Sequence, residues 1–231
     1  MITVCIGDVS YADDSRPEEL PPGEQARLGR LLRPADRRLF LATWTAATRL
    51  LAARLQVAPR KVELDRRCAR CGDPTHGRPV LRQSTLRLSV SHSGEQFAVA
   101  IADELDVGVD VEQETAELWS PAMHEVVLAP DEPVPSRASQ AILWTRKEAV
   151  LKCVGVGLLS PLSGLSLDGP RVRSWREYPD LVRRLSVTDL PAPSGYRAAL
   201  AVLAAPTVTD LPHADVATNW QLVDLPAAGD H

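Results

Sequence analysis

Between Leu86 and Glu112 three short runs in succession alternate apolar and polar residues, and no other feature limits the fold as tightly. Leu86, Leu88 and Val90 alternate with Arg87, Ser89 and Ser91. A period of two puts the apolar side chains on one face of a strand. Ser93-Gly94-Glu95-Gln96 supplies a turn, Phe97 to Ala102 a second strand, and a short acidic turn leads into a third, Val107 to Glu112. A hairpin followed closely by another strand is the expected arrangement.

On either side the period becomes helical. From Ala35 to about Leu55, Leu39, Ala42, Ala46, Leu50 and Ala53 recur at spacings of three and four, with Pro34 near the start and Pro59 closing the region. Ala138 to Val154 reads as a second long helix, with apolar Ile142, Leu143, Ala149, Val150 and Leu151, ended by Gly155 and Gly157. Leu165-Ser166-Leu167 and Tyr196 to Leu203 read as strands. Residues 10–24, 66–79 and 129–136 read as loops, and residues 226–231 as a frayed end. Each half thus has a long helix followed by strands. Phe97 to Ala102 has a rough counterpart in Tyr196 to Val202, which suggests two similar α+β lobes.

A chain of 231 residues can bury a real core in one domain or two small lobes. Its formal net charge of −4 is not that of a nucleic-acid binder, which carries a basic excess. A mildly acidic chain can still hold an anion where basic residues cluster. No apolar run reaches the length of a membrane span. Met1 to Ile6 lacks the basic start and cleavage pattern of a signal peptide and reads as a strand, so a cytoplasmic protein without membrane contact is expected. The four cysteines, Cys5, Cys68, Cys71 and Cys153, form no disulfide framework. Cys68, Cys71 and His76 admit a zinc reading, but a closed site needs a fourth ligand and no second CxxC exists. The plainer reading is a tight loop carrying two thiols.

Four segments could carry chemistry. In Gly108-Val109-Asp110-Val111-Glu112, strand alternation puts Asp110 and Glu112 on one face and the valines on the other. Two neighbouring carboxylates are stable when solvated, or with a cation between them. In Trp144-Thr145-Arg146-Lys147-Glu148-Ala149-Val150-Leu151-Lys152, Glu148 and Lys152 share a helix face, either as a surface ion pair or as acid and amine of a metal-phosphate site. Ser91-His92-Ser93 offers an imidazole and hydroxyls to a phosphate, or is an exposed turn. Gly77-Arg78-Pro79 puts a cation in a constrained loop. Other chemistries find no motif: there is no GxxxxGK[ST], no GxGxxG after a strand, no GxSxG and no HExxH. Ser91 and His92 point to opposite faces of their strand, so they cannot act as nucleophile and base.

Taken together and in this order, the four segments resemble the 4'-phosphopantetheinyl transferases of the two-lobed Sfp type. The resemblance spans about residues 2–205, and Gly155 and Gly157-Leu158 extend its last block. It implies an α+β fold of pseudo-two-fold duplicated lobes, each a small mostly antiparallel sheet packed on a long helix. The lobes would be residues 1–107 and 108–231, in a monomer with coenzyme A in the cleft between them. The implied reaction moves 4'-phosphopantetheine from coenzyme A to a serine of an apo acyl or peptidyl carrier protein and releases 3',5'-ADP. Asp110, Glu112 and Glu148 would hold Mg²⁺ on the coenzyme A diphosphate. His92, with flanking Ser91, and Lys152 would contact its phosphates, and Arg78 would lie near the nucleotide. Glu148, or a metal-bound water, would help deprotonate the carrier serine. The family usually has lysine where Arg78 stands. Val127 to Glu132 lacks the family's aromatic residues, making Glu132 a candidate supporting acid. Arg27, Arg30, Arg37 and Arg38 are the candidates for the 3'-phosphate. A metal-dependent phosphodiesterase and a non-catalytic relative that binds coenzyme A or carrier domains are the competing readings. Polyketide and nonribosomal peptide carriers are the favoured acceptors, with fatty-acid carriers also open.

Overall fold

The structure is a computed structural model that describes residues 1–68, 71–74, 77–115, 121–157, 160–205 and 220–224. The alternating runs become β4 (Leu86–Ser93), β5 (Gln96–Asp103) and β6 (Asp106–Gln113), and the two helical runs become α2 (Pro34–Leu55) and α4 (Arg137–Val154). Pro34 opens α2, where a missing N–H costs nothing. Gly155, at φ 79°, closes α4 with its N–H on the Leu151 carbonyl, a left-handed turn that glycine adopts without strain.

The first sheet adds β1 (Ile2–Asp8) and β11 (Trp220–Leu222) in the order β11-β1-β5-β4. The second combines β6 with β9 (Leu185–Leu190) and β10 (Tyr196–Leu203) in the order β6-β10-β9. All pairings within these sheets are antiparallel except β1 with β11. The expected α+β class with small, mostly antiparallel sheets is borne out. One topology recurs in each sheet: a first strand, a long helix, then a hairpin whose second strand inserts beside the first. The segments with similar sequence, Phe97 to Ala102 and Tyr196 to Val202, lie in the two central strands, β5 and β10.

The core explains the alternation. On β5, Phe97, Val99 and Ile101 join a cluster with Ala42, Trp44 and Leu51 of α2, while Ala98, Ala100 and Ala102 face the other way. There they meet Ile2 and Val4 of β1, Val107, Val109 and Val111 of β6, and Leu200 of β10. A third cluster joins Ala149 and Val150 of α4 with Ala199 and Ala201 of β10 and with the small hairpin β7 (Leu165–Asp168) and β8 (Arg171–Trp175). The layers therefore run helix, sheet, sheet, helix. Each central strand is buried on both faces, and burial of apolar area on this scale dominates folding.

Seven α-helices and strands among the described residues are not signalled by periodicity: α1 (Pro22–Arg30), α3 (Pro121–Val127), β2 (Leu64–Asp65), β3 (Val80–Leu81), β8, β9 and β11. Helix α1 starts inside a stretch read as loop. Its buried face is only Glu24 and Leu28, too few apolar residues to register as a stripe. β11 has only three residues and exists by long-range pairing with β1. The 66–79 segment is loop where described, with the exception of nothing longer than turns: the Cys68 N–H donates to the Asp73 carbonyl at 2.8 Å, and the Gly72 N–H to the Cys68 carbonyl at 2.9 Å. His76, which the zinc reading needs, lies outside the described residues, as do Leu158 and residues 226–231.

Candidate active site at the seam of the two sheets

β4 and β6 are neighbours without a backbone ladder between them. Serine hydroxyls join them instead. Ser89, Ser91 and Ser93 occupy alternate positions on β4 and so share one face. The Val109 N–H donates to Ser89 Oγ at 3.0 Å, Ser91 Oγ donates to Asp110 Oδ1 at 2.7 Å, and Ser93 Oγ donates to Glu112 Oε1. The same alternation that buries the β6 valines turns Gly108, Asp110 and Glu112 toward α4.

Gly108 fixes how near the helix comes. A Cβ there would overlap the Ala149 carbonyl and the Cys153 amide, with the Cys153 Cα only 2.9 Å away. Glycine therefore lets α4 lie directly on β6, which sets Glu148 and Lys152 beside Asp110. Lys152 Nζ reaches Asp110 Oδ1 at 2.6 Å and Ser91 Oγ at 2.8 Å. The ion pair of Lys152 thus crosses from helix to strand, rather than running along the helix to Glu148.

The electrostatics are those of acids crowded out of water. Burial pushes the Glu148 carboxyl up to about 6; Asp110 and then Glu112 add to the rise, and Lys152 opposes it. Burial likewise raises Glu112, against the Ser93 hydrogen bond. Enclosure in the cleft, and next the Lys152 ammonium, lower His92. Asp110 Oδ2 and Glu148 Oε1 are both buried and accept no hydrogen bond. Orphaned buried acceptors of this kind are costly. Among the described residues no three acid, histidine or cysteine side chains already converge as a metal cage. The two orphaned oxygens nonetheless fit a hard cation that keeps several waters and takes few protein donors.

Beside these acids opens a cleft of about 680 Å³. Ser91, His92 and Lys152 line one wall, and Arg27, Arg30 and Arg66 another, over Phe40 and Trp44. Of the four arginines considered from sequence, the structure brings Arg27 and Arg30 to the cleft. Arg37 donates to the Leu28 carbonyl at 2.8 Å, and Arg38 pairs with Asp13 at 2.8 Å; neither lines it. Arg78 is engaged between the two halves. It donates to the Cys153 carbonyl at 3.0 Å and to Asp106 Oδ1 and the Val107 carbonyl at 3.3 Å, a cation at the C-terminal end of α4.

Glu132 and Lys147 have a different setting. Lys147 is fully buried and donates to Glu132 Oε2 at 2.5 Å, the Val127 carbonyl at 2.7 Å and the Leu162 carbonyl at 3.1 Å. Glu132 also accepts from the Ala129 and Leu167 N–H groups, each at 2.8 Å. The pair knits α4 to the loop before it and to β7. Sequence reasoning passed over Lys147, Ser89 and Arg66. The Ser89-x-Ser91-x-Ser93 alternation was a legible signal for Ser89, whereas Lys147 read as one more charge on a helix.

Residues 106–201 match the family described as the 4'-phosphopantetheinyl transferase superfamily. That stretch runs from the first residue of β6 into β10, so it holds Asp110, Glu112, Glu148 and Lys152 and leaves out Arg78, Ser91 and His92. A protein of Synechocystis sp., named "Putative 4'-phosphopantetheinyl transferase slr0495", is 28% identical over 156 residues. The match covers 61% of this chain and 58% of that protein, less than two thirds of its length. The superfamily resemblance read from the sequence blocks is borne out by both.

Proposed function

We propose that this chain, which carries the 4'-phosphopantetheinyl transferase superfamily pattern, moves the 4'-phosphopantetheine group of coenzyme A onto a serine of an apo carrier protein. The observation that carries this reading is the pair of orphaned carboxylate oxygens on Asp110 and Glu148, beside Lys152 at the end of a basic cleft. Residues 1–107 and 108–231 would be two lobes with the site at their seam. Asp110, Glu112 and Glu148 would hold Mg²⁺, which when bound supplies positive charge to the diphosphate oxygens. Lys152 and His92, with Ser91 beside them, face the same phosphates, and the cleft arginines Arg27 and Arg30 face the nucleotide end. Arg78 steadies the start of β6 and the end of α4.

Glu148, a carboxylate at the seam beside Asp110 and Lys152, would help take the proton of the carrier serine. The serine oxygen then bonds to the pantetheine-side phosphorus, and the bond from that phosphorus to the bridging oxygen breaks. 3',5'-ADP leaves with its charge held by the basic wall. The acceptor is an acyl or peptidyl carrier domain, with polyketide and nonribosomal peptide carriers favoured, and the protein acts as a cytoplasmic monomer. No helix among the described residues is long and apolar enough to cross a membrane.

Incubation with coenzyme A, Mg²⁺ and apo carrier domains, read by intact mass, tests the reaction. The expected result is a gain of one phosphopantetheine unit that EDTA prevents. Hydrolysis of coenzyme A without an acceptor would instead indicate a phosphodiesterase. Binding of coenzyme A with no transfer to any carrier would indicate a non-catalytic relative.

A further inference from the structure

The turn between β4 and β5 belongs to the first sheet, yet side chains of the second sheet hold it. Ser93 pairs with Gln96, so Gly94 and Glu95 make a two-residue turn, with Gly94 at φ 56°. The Glu95 N–H donates to the Tyr196 hydroxyl at 3.1 Å, a contact between residues 101 apart in the chain. The Glu95 carbonyl accepts from the Val9 N–H at 2.8 Å. The Glu95 backbone is therefore fixed at both its polar groups. Gly94 has a second reason to carry no side chain. A Cβ there would overlap the Tyr196 hydroxyl and stand 2.7 Å from Gln113 Oε1. Tyr196 and Gln113 are partners in the β6–β10 ladder, so their side chains leave the same face and close on the turn together.

This turn begins where an acid of the site is held. Ser93 directly precedes Gly94. Its Oγ donates to Glu112 Oε1 and accepts from the Gln113 N–H at 3.2 Å. The Gln113 N–H lies 3.2 Å from Glu112 Oε1 as well. Both donors fall on one carboxylate oxygen, which leaves Oε2 for a cation. Donors of this kind, one layer behind a ligand, decide which way its carboxylate points. Tyr196 is buried among apolar side chains of the inner layer, where a phenylalanine would fill the same space. Its single polar atom goes to the turn, and the turn carries Ser93.

We propose that Tyr196 is a positioning residue for Glu112 as a metal ligand, acting from the second sheet through the first-sheet turn Ser93-Gly94-Glu95. This rests on the proposed Mg²⁺ site. The docking of one sheet on the other then sets the geometry of the metal site as well as joining the halves.

Titration of the full chain with Mn²⁺, with coenzyme A present and no carrier, tests this. The electron paramagnetic resonance signal of the free ion is read against coenzyme A alone. Tyr196→Phe keeps the ring and removes only the hydroxyl. It should weaken Mn²⁺ by roughly 3- to 10-fold, while coenzyme A binding in EDTA stays within about 2-fold of wild type. Ser93→Ala should give a similar loss, and Ser93→Thr, which keeps the hydroxyl, should retain most of the affinity. In a Glu112→Gln background, Tyr196→Phe should weaken Mn²⁺ no further, because both act through one ligand. A merely structural role would lower the thermal melt and leave Mn²⁺ affinity where it was. Wild-type Mn²⁺ affinity in Tyr196→Phe, or an undiminished loss in the Glu112→Gln background, overturns the proposal. Wild-type affinity in Ser93→Ala does so independently, should Tyr196→Phe fold poorly. A wild type that retains no Mn²⁺ beyond coenzyme A alone would overturn the metal site itself and the proposal with it, a distinct result.

Discussion

The first strands of the two sheets hold the same place in the topology and differ in what they turn toward their helices. In β1, Ile2 and Val4 face the shared inner layer, and Cys5 faces the cluster around α2. In β6, Val107, Val109 and Val111 face that inner layer, and Asp110 faces α4. Cys5 is a small apolar filler: burial, and secondarily Asp224, push its thiol up to about 12, so it stays neutral. Asp110 is a charge in an equally buried place, sustained by Ser91 and Lys152 and left with one orphaned oxygen. One architecture thus accommodates a neutral core in one half and a buried charged group in the other. The helices show a partial parallel. Arg49 of α2 reaches Glu19 at 2.8 Å and the Asp14 carbonyl at 2.9 Å, as Lys147 of α4 reaches Glu132, so each helix clamps an irregular segment through a buried cation.

Substitution at the two matched strand positions should separate the halves most. Asp110→Ala is expected to lower transfer by more than about 10³-fold while circular dichroism and gel filtration stay those of a folded chain. Cys5→Ala should cost stability by about 1–2 kcal/mol and leave the turnover number near wild type. Transfer retained in Asp110→Ala would take Asp110 out of the site and erase the contrast.

Breaking the buried clamp in the second half comes next. Lys147→Ala leaves the Glu132 carboxylate buried without its cation, a change worth about 3–5 kcal/mol. A thermal melt should fall by roughly 10 °C for a chain of this size. A fall of only a degree or two would mean that Glu132 is satisfied by the Ala129 and Leu167 amides alone.

The helix–strand contact at Gly108 is expected to be less costly but more telling. Gly108→Ala should destabilise by roughly 1–3 kcal/mol through overpacking against α4. Because α4 must shift, transfer should fall further than the melt implies. Thr3→Val, one strand position before Val4 in the first half, should stay within about 0.5 kcal/mol, since its buried hydroxyl has no hydrogen-bond partner to lose. Equal effects at the two positions would mean that α4 is not seated by the glycine.

The smallest effect depends on pH. The Glu148 carboxyl rises from an ordinary 4.5 to about 6 in the folded chain. A raised carboxyl prefers the neutral form when folded, so it costs nothing below 4.5. The cost grows between 4.5 and 6 and is complete above 6. In EDTA at pH 7.5, Glu148→Gln should therefore be more stable than wild type by roughly 1–2 kcal/mol, and at pH 4 the two urea melts should coincide. A less stable Gln variant at pH 7.5 would show that the neighbouring lysine already satisfies the acid.

Much of this contrast was legible before the fold. Alternation put Asp110 and Glu112 on one strand face, the helical period put Glu148 and Lys152 on one helix face, and Gly155 marked the end of α4 within a residue. These are properties of neighbours in the chain, set by backbone geometry and burial of the opposite face. The structure alone decided which distant groups meet: Lys152 with Asp110 instead of Glu148, Arg27 and Arg30 at the cleft instead of Arg37 and Arg38, Glu132 with Lys147, and Arg66 on Trp44 above a buried Glu24. Such pairings depend on strand register, on how closely a helix can approach at one glycine, and on where an irregular loop returns. None of these has a period along the chain, so a sequence fixes them only through the complete packed fold.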